Sequence, residues 1–106
     1  MEKLTAESFD HTLSHEQGKV IVKFYADWCP DCRRIESGAE QIAKDFAGRF
    51  KFYAVDTEAE PELAERFNVR GIPSFLVFDK GAETTRLYSR DAKTVEQVQK
   101  FIQELA

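Results

Sequence analysis

Val20-Ile21-Val22-Lys23-Phe24-Tyr25-Ala26-Asp27-Trp28-Cys29-Pro30-Asp31-Cys32-Arg33-Arg34 changes character in its middle. Val20 to Ala26 is β-branched and aromatic, with the length and composition of a buried strand, and the run stops at Asp27. Pro30 suits the first residue of a helix, where the N–H that proline lacks would have no partner. Cys29 therefore falls near the N-cap and Cys32 one turn in. Unpaired N–H groups at a helix start stabilise negative charge, and the thiolate is the reactive form of cysteine, so Cys29 is expected to be the nucleophile. Side chains three apart on a helix have Cβ atoms about 5–6 Å apart. A modest first-turn adjustment brings them to the ~3.8 Å of a disulfide. The pair is expected to bridge reversibly, with Cys32 as the resolving thiol, because burial deeper in the helix raises a thiol pKa.

Outward from this stretch, strands and helices alternate. Thr5 can cap a first helix in which Leu4 staples to Phe9, and Leu13 continues its buried side. After the cysteines, Ile35, Ala39, Ile42, Ala43 and Phe46 recur at helical intervals, with Gly48 placed to stop that helix. Phe50 to Val55 reads as the next strand, and Pro61 opens a short helix through Leu63, Ala64 and Phe67. Ser74 to Phe78 and Glu83 to Tyr88, joined by a turn at Gly81, read as an antiparallel hairpin. Val95, Val98, Phe101, Ile102 and Leu105 make a last amphipathic helix. The expected class is α/β: a mixed central sheet of parallel strands plus an antiparallel C-terminal hairpin, flanked by helices on both faces.

The 106 residues suffice for one domain, 1–106, and nine Phe supply much of its core. A net charge of −4 gives no basic field for phosphate backbones, so no nucleic-acid partner is expected. No segment has the length and apolarity of a membrane span, and Met1 to Thr5 lacks a signal-type apolar core, so a cytoplasmic, monomeric protein is expected. In a reducing compartment two cysteines are more often catalytic or metal-bound than a permanent staple.

Trp28-Cys29-Pro30-Asp31-Cys32 resembles a thioredoxin active site of the Trp-Cys-Pro-Asp-Cys branch. Gly71-Ile72-Pro73-Ser74-Phe75 follows at the family's spacing, and Lys80-Gly81 closes the next apolar run, so the resemblance covers nearly the whole chain. It implies the thioredoxin fold, with a first strand that must be short or missing because only four residues precede Thr5. It also implies a disulfide reductase that needs no cofactor beyond the Cys29–Cys32 disulfide. Its substrates would be proteins or small molecules containing disulfides, and its electron donor an enzyme of the thioredoxin-reductase type. Pro73 would follow a cis peptide bond, and Ile72 would offer strand-like backbone hydrogen bonds to a substrate segment. Trp28, Pro30, Asp31, Gly71, Ile72 and Pro73 would form the docking patch, with Arg70 at its rim. Ordinary packing is the alternative role for Trp28. Asp31 complements the helix N-terminus but opposes a neighbouring thiolate, so it either restricts acidic substrates or simply stabilises the helix.

Several positions depart from the family pattern. Lys23 stands where the family has a buried Asp thought to relay protons to the resolving thiol, and Phe52 stands where that Asp has a lysine partner. Lys23 either snorkels outward to an acidic partner or sits near Cys32 and favours its thiolate. Ser37 replaces a kinking proline, which implies a straighter helix, and Ser89 replaces a glycine in one wall of the substrate groove. Two rival functions keep the same residues. His11 and His15, four apart on one helix face, could join Cys29 and Cys32 as zinc ligands. A thioredoxin-like binding module with weak redox activity would account for the lost Asp and its partner.

Overall fold

A computed structural model describes Met1 to Ala106 throughout. In chain order the elements are β1 (Glu2–Lys3), α1 (Phe9–Ser14), β2 (Lys19–Tyr25), α2 (Pro30–Asp45), β3 (Phe50–Asp56), α3 (Pro61–Arg66), β4 (Ser74–Asp79), β5 (Ala82–Leu87) and α4 (Val95–Leu105). A short 3₁₀ turn, Ser89–Asp91, precedes α4. The five strands form one sheet in the order β1-β3-β2-β4-β5. β1 and β2 pair with β3 in parallel, while β4 is antiparallel to both β2 and β5. This is the expected mixed sheet, and its first strand has two residues, paired with Tyr53 and Ala54.

The apolar run of β2 makes it the centre of the sheet, where both faces are covered and strict alternation of polar residues disappears. Val20, Val22 and Phe24 project into a core that includes Phe9, Leu13, Leu63 and Phe78. Ile21 projects to the other side, among Ile35, Ile42, Val98 and Ile102 of α2 and α4. Successive side chains on a strand alternate faces, so Lys23 lies on the α2 side with Ile21. α2 runs unbroken through Ser37. It meets α4 closely at Gly38, where a Cβ would come within 2.4 Å of a Val95 methyl.

Element ends show two departures from the sequence pattern and one signal that the pattern does not include. α1 begins at Phe9, one turn later than Thr5 suggests. Thr5 and Ser8 nevertheless cap one another: the Ser8 N–H donates to Thr5 Oγ1 at 3.1 Å and the Thr5 N–H to Ser8 Oγ at 3.0 Å. α2 ends at Asp45 with Phe46 as C-cap, before Gly48, which does not adopt a left-handed backbone. Packing of Phe46 with the α2–α4 core, not a glycine, marks that end. Finally, Thr94 and Gln97 form a reciprocal capping box at the start of α4, a signal that the apolar periodicity alone does not carry. The β4–β5 hairpin turns through Lys80 at φ 54° and Gly81 at φ 84°, the left-handed pair that a two-residue hairpin requires.

Candidate functional site

The end of β2 delivers the chain to the N-terminus of α2, and Cys29 is the N-cap of that helix. Its Sγ accepts a hydrogen bond from the Cys32 N–H at 3.2 Å, so one otherwise unpaired donor of the first turn points at the sulfur. The Cys29 thiol in turn faces the Ile72 carbonyl oxygen at 3.7 Å. Both cysteines are free and buried, and with Ala26 they form a small cluster against which Ile72 packs. The geometry presents a dithiol at a helix start, with the outer sulfur against an irregular loop.

Burial pushes the Cys32 thiol up to about 12, and the hydrogen bond with Cys29 acts in the same direction. A backbone bond to Ala26 and the charge of Lys23 oppose that rise. Cys32 therefore stays protonated at neutral pH.

Lys23 lies beside Cys32, as one of the two sequence readings has it, and lacks the acidic partner of the other. Its side chain is buried to 7 % residual exposure and its ammonium lies 5.1 Å from the centre of the Tyr25 ring. It reaches a cavity of about 120 Å³ that Asp27, Cys32 and Glu36 also line. Lys23 is thus a largely buried ammonium held beside Cys32. No carboxylate comes within 4.0 Å of it, since it takes part in none of the chain's ion pairs. Burial lowers its pKa, while the charges of Glu40 and Glu36 hold it up.

Asp31 is not a free negative charge. Arg34 donates to one carboxylate oxygen at 2.6 Å and Lys93 to the other at 3.0 Å. The Arg34 bond and then the Lys93 bond hold its carboxyl below the usual carboxylate range. The Arg34 partner is a helix neighbour three residues on, legible from spacing. Lys93 is sixty-two positions away and was not.

The second half of the site is the loop before β4. The Ile72–Pro73 peptide is cis. Ser74 Oγ donates to the Gly71 carbonyl at 2.6 Å and fastens the loop on itself. No protein group accepts the Ile72 N–H. Gly71 faces the Ser89 side chain closely: a Cβ there would lie 3.1 Å from Ser89 Cβ and would oblige the Ser89 hydroxyl to turn away. Ser89 therefore does form a wall, in direct contact with the loop. Trp28 is 62 % exposed, so its indole lies on the surface beside Cys29 and is not a packing residue.

Sequence reasoning missed the arginines around this loop, Arg86 and Arg90, together with Tyr88, because they come from β5 and the turn after it. His11 and His15 stack on each other at 4.1 Å between ring centres, on exposed α1. No group of three or more His, Cys, Asp or Glu side chains could hold a metal, so the structure does not gather the histidines with the cysteines.

A family model described as thioredoxin matches residues 1–104. Over 64 residues the chain is 47 % identical to thioredoxin M4, chloroplastic, of Arabidopsis thaliana, a match covering 60 % of this chain and 33 % of that protein. It is 33 % identical over 76 residues to thioredoxin 1 of Chlorobaculum tepidum, covering 72 % of this chain and 75 % of that one. It spans between 33 % and 56 % of the length of the first two chloroplastic relatives. Among solved structures, a thioredoxin of Plasmodium falciparum superposes with a TM-score of 0.89 at 27 % identity over the whole of both chains.

Proposed function

The chain belongs to the thioredoxin family, and on that footing we propose that it is a thiol–disulfide oxidoreductase acting mainly as a reductant. The Cys29 thiolate attacks a substrate disulfide, forming a Cys29–substrate bond and releasing one substrate thiolate, which takes a proton from solvent. Cys32 then loses its proton and attacks Cys29 Sγ, closing the Cys29–Cys32 disulfide and releasing the second substrate thiol. Two electrons pass from the protein dithiol to the substrate, and an enzyme of the thioredoxin-reductase type returns them.

The observation that carries this reading is Cys29 as N-cap of α2, its sulfur 3.2 Å from the Cys32 N–H and 3.7 Å from the Ile72 carbonyl. Nucleophile, resolving residue and substrate-facing loop thus meet at one point. The unpaired Ile72 N–H and the Pro73 loop receive the extended substrate segment, while Trp28, Pro30 and Gly71 flank it. The raised pKa of Cys32 keeps it from competing as nucleophile, and its proton leaves through the cavity lined by Lys23, Asp27 and Glu36.

The test is equilibration of the pair against glutathione redox buffers, read by Trp28 fluorescence. A reversible two-electron transition that Cys32→Ser abolishes, with accumulation of a Cys29 mixed disulfide in that variant, is expected. Absence of any transition would leave a binding module with weak redox activity, the reading that the replacement of the family's Asp by Lys23 favours. We further propose a monomer in the cytoplasm, checked by sedimentation and cell fractionation. The chloroplastic names of some relatives make a plastid the alternative location.

A further inference from the structure

We propose that the cleft beside the Pro73 loop selects disulfide substrates that carry an Asp or Glu next to the reacting half-cystine. This deepens the oxidoreductase reading and rests on it.

The cleft measures about 290 Å³ and is lined by Arg70, Gly71, Arg86, Tyr88, Ser89 and Arg90, with no carboxylate among its lining residues. Three guanidinium groups gather there in a chain whose net charge is −4. Their commitments differ. Arg86 is already held by Glu83 at 2.6 and 2.8 Å and by the Phe67 carbonyl at 2.8 Å, so it is a fixed part of the wall. Arg70 uses only its Nε, on Asn68 Oδ1 at 3.0 Å, and both terminal nitrogens remain free. Arg90 makes no hydrogen bond, its nearest carboxylate being Asp91 at 3.7 Å. Its guanidinium lies 4.9 Å from the centre of the Tyr88 ring, which Arg86 also approaches at 5.8 Å.

A guanidinium presents a planar fork that matches a carboxylate with two parallel hydrogen bonds. Stacking on Tyr88 orients the Arg90 fork beforehand, so less freedom is lost when a carboxylate arrives. The position fits a substrate side chain. Gly71 in the cleft wall directly precedes Ile72, whose carbonyl is 3.7 Å from Cys29 Sγ. The cleft therefore begins one residue from the carbonyl that faces the attacking sulfur, and we place in it the side chain of a substrate residue close in sequence to the attacked half-cystine. Asp31, between the cysteines, is already countered by Arg34 and Lys93, so it does not repel an acidic segment.

The experiment uses two disulfide-bridged peptides identical except for Asp or Asn beside the half-cystines, reduced by the prereduced chain in stopped flow and followed by Trp28 fluorescence. The second-order rate constant for the Asp peptide is expected to exceed that for the Asn peptide by about tenfold at low salt. The ratio should fall towards one in Arg70→Gln/Arg90→Gln, and also fall in about 1 M salt, where the Debye length shortens to ~3 Å. Both arginines are exposed and Gln keeps their stems, whereas Arg86 is left in place because it anchors the Phe67 carbonyl. A ratio near one in the unaltered chain, or one that survives loss of both arginines, overturns the acidic preference alone. Failure to reduce either peptide overturns the oxidoreductase reading and this inference with it.

Discussion

Replacing Lys23 with Met tests whether a buried ammonium is maintained beside the resolving thiol at a cost in stability. Met keeps the stem volume among the α2 and β2 side chains, so no cavity opens. It removes a charge that burial disfavours, as the lowered pKa of Lys23 records. Two structural facts reduce the gain: the ammonium reaches the 120 Å³ cavity instead of being sealed, and Glu40 and Glu36 oppose the desolvation. The variant should therefore fall at the low end of what is seen when buried charges give way to apolar groups, more stable by about 1 kcal/mol near neutral pH. That corresponds to a rise of ~5 °C in Tm and of about 0.5 M in the urea midpoint.

The pH dependence separates this cause from simple repacking. A lysine whose folded pKa lies below its ordinary 10.5 binds fewer protons in the native state than in the unfolded chain across that window. Wild-type stability therefore rises, relative to the Met variant, as pH climbs through the folded pKa towards 10.5, above which the lysine is neutral in both states. Urea unfolding of both proteins, fully reduced, near neutral pH and again at about pH 10, should show the gap shrinking. A variant less stable at neutral pH, or a gap indifferent to pH, would refute the reasoning. The same variant should also resolve mixed disulfides more slowly, because Lys23 is one of the two influences that lower the Cys32 pKa.

Three further outcomes can be checked. Asp31→Asn releases Arg34 and Lys93 from their shared partner, so reduction of acidic disulfides should quicken by about twofold at low salt and return to the wild-type rate at high salt. Gly71→Ala brings a Cβ against the Ser89 side chain and obliges its hydroxyl to turn away, so it should cost no more than about 1 kcal/mol, which Ser89→Gly in the same chain should recover; a double-mutant cycle of unfolding energies without coupling would count against the contact. Thr94→Ala removes the acceptor for the Gln97 N–H and should lower stability by about 1 kcal/mol, seen as a lower urea midpoint at unchanged slope.

How far the site could be read from the chain depends on whether its chemistry is local. Cys29, Pro30 and Cys32 are neighbours in sequence, so the strand ending at Tyr25 and the proline at helix position one suffice to place one sulfur at the cap and the other a turn in. Lys23 was legible as an anomaly, an ammonium inside an apolar run. Its surroundings were not, because the 120 Å³ cavity beside it is built from Tyr25, Asp27, Arg33 and Glu36, which only their packing brings together. Asp31 shows the same limit in charge: the i,i+3 spacing offers Arg34, but Lys93 arrives only because α4 packs on α2 where Gly38 lets Val95 approach. Ser89 stands where the family has a glycine, and its side chain faces Gly71, so the two residues are intelligible only as a pair: the glycine lacks a side chain where the serine hydroxyl stands. The proposed acidic preference rests in the same way on residues that the cysteine motif does not contain, carried on the loop before β4, the β5 edge and the turn after it. Relatives with the same motif can consequently differ in the charge of the segments they accept, and that difference should follow the residues at positions 70, 88 and 90 more closely than the residue between the cysteines.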